Sequence, residues 1–241
     1  MGIPAYSLLF FVPLLSGLSI FLFRKSDNKV RLKLFLAFSG SYLFSISIVH
    51  ILPEIYHRQE SNIGLYILIG FFFQILLELF SEGIEHGHVH VHKHASTAFP
   101  TAVMLSLCIH SFLEGMPLAQ NSSLIHSDTH DSLLMGIVLH HVPVAFALMS
   151  MLLESKIKTG TAIICLLLFA GMAPFGALIS NIISDNLIAD LSLYFDKMMG
   201  IVVGIFLHIS TTILFESSEN HRFNLYKFAV ISIGALLAIN T

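Results

Sequence analysis

The chain has 241 residues, of which 55% are hydrophobic and 11% charged, with a formal charge of −3 and a mean hydropathy of +0.82. A soluble domain does not need so much apolar material to fill its core, and the 12 Lys and Arg are strung along the chain rather than gathered into a basic patch, so a soluble enzyme and a nucleic-acid-binding module are both excluded. The composition predicts an all-α polytopic membrane protein forming one transmembrane domain over residues 1–241.

A bilayer core ~30 Å thick is crossed by about 20 residues of helix rising ~1.5 Å each. Apolar windows of that length fall near 5–23, 34–55, 63–81, 98–119, 132–153, 159–184, 198–215 and 223–239, which predicts eight helices, numbered α1 to α8. The first window ends at Arg24-Lys25 and has neither a charged leader nor a small-residue cleavage site, so it reads as a spanning helix rather than a signal peptide. Near its end α2 carries His50 and Glu54 at i and i+4, around Pro53.

Between α3 and α4 lies a long connection, residues 82–97, with five alternating histidines, His86, His88, His90, His92 and His94. Extended, such a tract places every imidazole on one side and binds metal weakly and multiply. Helix α4 holds His110, Ser111 and Glu114, followed by Gly115 and Pro117. The polar run His126-Ser-Asp128-Thr-His130-Asp131 then reads as a plain loop, and α5 holds His140 and His141 ahead of Pro143. Gly171, Pro174 and Gly176 interrupt α6, and His208 stands in α7. The two cysteines, Cys108 and Cys165, show no disulfide or zinc-finger spacing and read as packing residues.

Cytoplasmic loops carry the excess of Lys and Arg. With an extracytoplasmic N-terminus, ten of the twelve basic residues face inward and only Arg58 and Lys197 face outward. Both termini are therefore expected outside and the histidine-rich loop in the cytoplasm.

An ionisable group at mid-bilayer costs roughly 2.5 to 3.5 kcal/mol on insertion scales, and persists where a partner, water or an ion offsets that cost. His110 and Glu114 share a helix face one turn apart, and His140 matches His110 in phase on the next helix. A single intramembrane histidine is commonly a core polar bonded to its neighbours. Several in register point instead to a cation held between α4 and α5. Mixed imidazole and carboxylate donors suit zinc, ferrous iron, manganese or cadmium, with zinc first among them, and are too nitrogen-rich for calcium or magnesium. Three protein ligands, His110, Glu114 and His140, leave one coordination position open, as an exchangeable ion requires. The ion is then cargo, and no prosthetic group is expected. His50 and Glu54 are candidates for the entrance of such a path, and His208 with the loop histidines for its exit.

In combination and order, His50-x-x-Pro53-Glu54, the histidine-rich loop, His110-Ser111-x-x-Glu114-Gly115 and His140-His141-x-Pro143 make the chain resemble the ZIP (Zrt/Irt-like) family of divalent metal transporters. The resemblance implies a pseudosymmetric 3+2+3 bundle of eight helices, a site between α4 and α5, metal movement toward the cytoplasm, and homodimers in a cell (inner) membrane. It also implies that α1, α4, α5 and α6 shift as a block against the rest. In relatives with two adjacent metal positions, carboxylates stand where this chain has His141, Val144 and Ala173. One principal metal is therefore expected, with Ser111 and His141 lining the adjacent space. The rival readings are an intramembrane metal-dependent hydrolase or oxygenase, which would need a base not already spent as a ligand, and a membrane-anchored metal sensor built on the histidine-rich loop.

Overall fold

Each of the apolar windows contains a helix in the computed structural model, which describes residues 2–23, 28–57, 62–81, 99–118, 127–186, 191–215 and 225–241. No strand occurs among the described residues. Helix α1 spans Ile3–Leu18 and resumes at Ile20–Phe23; α2 spans Asn28–Ile46 and continues through a π turn, Ser47–Ile51, into Leu52–His57. Then come α3 (Ile63–Ser81), α4 (Phe99–Gly115, ending in a 3-10 turn, Met116–Leu118), α5 (Ser127–Glu154), α6 (Thr159–Asn186), α7 (Leu191–Phe215) and α8 (Leu225–Ile239). Seven of these are long and apolar enough to cross a membrane. The eighth, with 15 residues, reaches only about 22 Å at ~1.5 Å per residue.

Local chemistry accounts for the departures from plain helix. Pro53 has no N–H to return to the carbonyl one turn earlier, and the wide turn Ser47–Ile51 lies immediately upstream of it, so His50 sits on a π turn rather than an α-helical face. Pro117 falls in the tight turn that ends α4, whereas Pro143 and Pro174 lie inside continuous helices. Helix α5 starts five residues before the window 132–153, so His130 and Asp131 belong to its beginning rather than to a loop.

The most extensive contacts join α3 to α7, α2 to α8, α4 to α6 and α1 to α5. Helix α5 is central: 72% of its most apolar window is buried, against 22% for α1 and α3, which turn large apolar faces outward. Three of these pairings, α3–α7, α2–α8 and α4–α6, depend on glycine, because without a hydrophobic effect between lipid-embedded helices, close backbone approach supplies the packing. A Cβ on Gly115 would overlap the Ala173 carbonyl, and one on Gly204 would overlap the Ile67 carbonyl.

Buried apolar side chains form two clusters along the bundle. One includes Leu118 of α4, Val138 of α5 and Ala173 of α6; the other includes Leu107, Val144 and Phe169 of the same helices. The polar residues of α4 and α5 fall between them in sequence on both helices.

Gly204→Val should therefore push α7 off α3 and cost about 1–3 kcal/mol, read as a lower melting temperature in detergent. Gly160→Ala is the control, since nothing lies within 4 Å of a Cβ there; its melting temperature should not fall.

Candidate metal site

Helical phasing brings His110 and Glu114 of α4 together with His140 of α5. One ligand atom from each, all within 4.8 Å of one another, forms a potential metal cluster. In a tetrahedral zinc site with bonds of ~2.0–2.1 Å, donors stand about 3.3 Å apart, so small side-chain rotations suffice to close these three on one ion. Their burial is complete: His110, Ser111, Glu114 and His140 are 0% exposed and His141 is 1% exposed.

The neighbours of the three donors fix their orientation. His110 Nδ1 lies 3.2 Å from Oε1 of Gln74, itself fully buried on α3. An amide oxygen only accepts, so Nδ1 donates and Nε2 keeps its lone pair. That lone pair faces Glu114 Oε1 at 3.2 Å. Two acceptors at this distance repel unless a proton or a metal cation lies between them. The other carboxylate oxygen, Oε2, accepts from His141 Nε2 at 2.7 Å, which orients the acid. The His110 and His140 rings meet edge to face at 6.0 Å, and His141 packs on Phe169 at 5.3 Å. Ser111 Oγ reaches the Phe169 carbonyl at 3.5 Å, a long contact. Val144 and Ala173 are buried among apolar side chains.

The remaining sequence candidates lie apart from this cluster. His50 Nε2 donates to the Ala238 carbonyl of α8 at 2.9 Å, and Glu54 follows one turn later, partly buried. His208 pairs with Glu78 of α3 at 2.6 Å and meets Phe71 edge to face at 5.1 Å. His86, His88, His90, His92 and His94 lie outside the described residues. Cys108 and Cys165 are free thiols, each partly buried. Gln74 and Glu78 were missed from sequence, although a signal existed: they are polar residues at i and i+4 inside the apolar run of α3, one touching His110 and the other His208.

Fold and site together define a multi-pass helical membrane protein with a buried nitrogen-and-oxygen cluster between two of its helices. A family model described as "ZIP Zinc transporter" matches residues 98–239, more than half of the chain. The chain belongs to the ZIP zinc transporter family. A relative, zinc transporter ZIP9 of Micropogonias undulatus, is 28% identical over 129 residues, covering 52% of this chain and 40% of the relative. The chain thus matches less than half of that relative's length.

If Gln74 fixes the ligating tautomer of His110, Gln74→Leu should lower zinc affinity about 10- to 100-fold. Calorimetric titration of the purified protein reads this directly, and unchanged affinity would show that Gln74 only fills space.

Proposed function

We propose that this chain moves divalent transition-metal ions into the cytoplasm, with zinc as the leading cargo and iron, manganese or cadmium as others its donors suit. The observation that carries the reading is the convergence of His110, Glu114 and His140, wholly buried between two apolar clusters, in a chain of the ZIP family. His110, Glu114 and His140 bind the ion, while Ser111 and His141 line the adjacent space. A site this enclosed has to open to each side in turn, as in transporters whose binding residues lie near the membrane midplane.

The contact pattern supports a 3+2+3 arrangement. Exchanging α1 with α6, α2 with α7, α3 with α8 and α4 with α5 turns the α3–α7 pair into α8–α2, and the α4–α6 pair into α5–α1; these are the four most extensive contacts. On this reading α8 completes eight crossings and residues 1–241 form one transport domain. The distribution of Lys and Arg favours extracytoplasmic termini. His50 and Glu54 then belong to the entrance, and His208 with Glu78 to the exit. The cytoplasmic loop 82–97 gathers released metal through His86, His88, His90, His92 and His94. The functional unit is a homodimer in the cell's inner membrane, surrounded by lipid.

An enzymatic reading fits less well, because Glu114, the acid of the site, is held by His141 through one oxygen and, on this reading, spends the other on the metal. A hydrolase would need it as a poised base.

Purified protein in sealed proteoliposomes should take up radiozinc saturably, with competition from other divalent ions. Glu114→Ala and His110→Ala should each reduce uptake to the protein-free background at normal membrane abundance. Deleting residues 86–94 should leave uptake within a few-fold of wild type, by the order-of-magnitude expectation for weak, multiple loop sites. Complete loss on that deletion would favour a sensor, and background uptake by the wild type would refute transport.

A further inference from the structure

A lateral groove of about 350 Å³ lies where the end of α1, the beginning of α2 and the middle of α5 meet. Its size falls at the low end of the ~300–1,000 Å³ typical of small-molecule pockets. Leu32 and Phe35 of α2 form one wall, and Pro143 and Phe146 of α5 the other. The serines of α1 that line it turn their protons inward. Ser16 Oγ donates to the Val142 carbonyl at 2.7 Å, and Ser19 Oγ donates to the Ser16 carbonyl at 2.6 Å. What remains facing the space is apolar, with one exception, the guanidinium-bearing Arg31.

Arg31 is exposed, and no carboxylate lies among the described residues lining the groove. It stands at the start of α2, where the apolar run of that helix gives way to the basic stretch Arg24 to Lys33, which holds five Lys and Arg. An apolar slot with one cation at its mouth, at the level where a helix leaves the hydrocarbon, matches a molecule with an acyl tail and an anionic head. Basic pockets between transmembrane helices on the cytoplasmic side are suited to such headgroups.

We infer that this groove is a binding site for an anionic phospholipid, with its phosphate on Arg31 and an acyl chain along Phe35, Pro143 and Phe146. The site is distinct from the metal cluster and stands whether or not the chain transports metal. Its position has a consequence. The lipid would contact α5 at Pro143 and Phe146, just beyond His140 and His141, and would lie where α1 and α5 meet α2. An occupant there resists sliding of α2 past those two helices.

Native mass spectrometry of the full chain, released from micelles holding equal phosphatidylglycerol and phosphatidylcholine, tests the inference. Phosphatidylglycerol should be retained preferentially on the wild type, and Arg31→Gln should weaken that retention about five-fold, the effect of one basic residue near a membrane surface. Leu32→Trp, which fills the groove and leaves Arg31 in place, should remove it as well, and this variant decides the matter if Arg31→Gln does not fold. Lys33→Gln is the control: Lys33 is exposed two residues on, where helical geometry turns it from the groove, and its loss should leave retention unchanged. Equal retention of the two lipids, normal retention by Leu32→Trp, or equal loss in Lys33→Gln and Arg31→Gln would each overturn the assignment.

Discussion

The structure is organised around a carboxylate withdrawn from water. Glu114 is wholly buried in an apolar bundle together with His110, His140 and His141. An isolated ionised carboxylate in such a medium is expensive; His141 offsets part of that cost by donating to one oxygen, whereas the other faces Nε2 of His110. The second arrangement is favourable only with a proton or a metal cation between the two atoms, and the convergence of His140 on the same point supplies the third donor that a metal would use.

The rest of the fold holds that arrangement in place. Helix α4 lies against α6 closely enough that Gly115, the residue after Glu114, has no room for a side chain. Helix α5, the most buried of the set, supplies His140 and His141. Helix α3 contributes Gln74 from the far side of His110. Apolar clusters above and below enclose the polar layer, so passage of an ion through it, as proposed, requires helices to move rather than side chains to swing aside. The turn at Met116–Leu118 places irregular backbone beside the site, where buried surroundings tolerate it.

Much of this was legible in the sequence because membrane helices carry a strong signal. The windows around 63–81 and 159–184 agree with the observed helices to within a few residues, since hydrocarbon thickness dictates length. His110, Glu114 and His140 could be grouped from phase alone, as i and i+4 on one helix and a matching position on the next. Three features were not legible. The start of α5 is set by polar residues that do not register in hydropathy. The π turn at His50 breaks the i, i+4 logic that paired it with Glu54. Gln74 and Glu78 acquire meaning only from α4 and α7, which pack against α3 from distant parts of the chain.

Zinc K-edge X-ray absorption on the purified chain bears most directly on the claim that these residues bind one metal ion. One zinc per chain is expected, with a shell of nitrogen and oxygen at ~2.0–2.1 Å, imidazole scattering from two histidines, no sulfur, and loss of the ordered shell in Glu114→Ala. Sub-stoichiometric zinc, two ions in one cluster, or a spectrum indifferent to Glu114→Ala would contradict it.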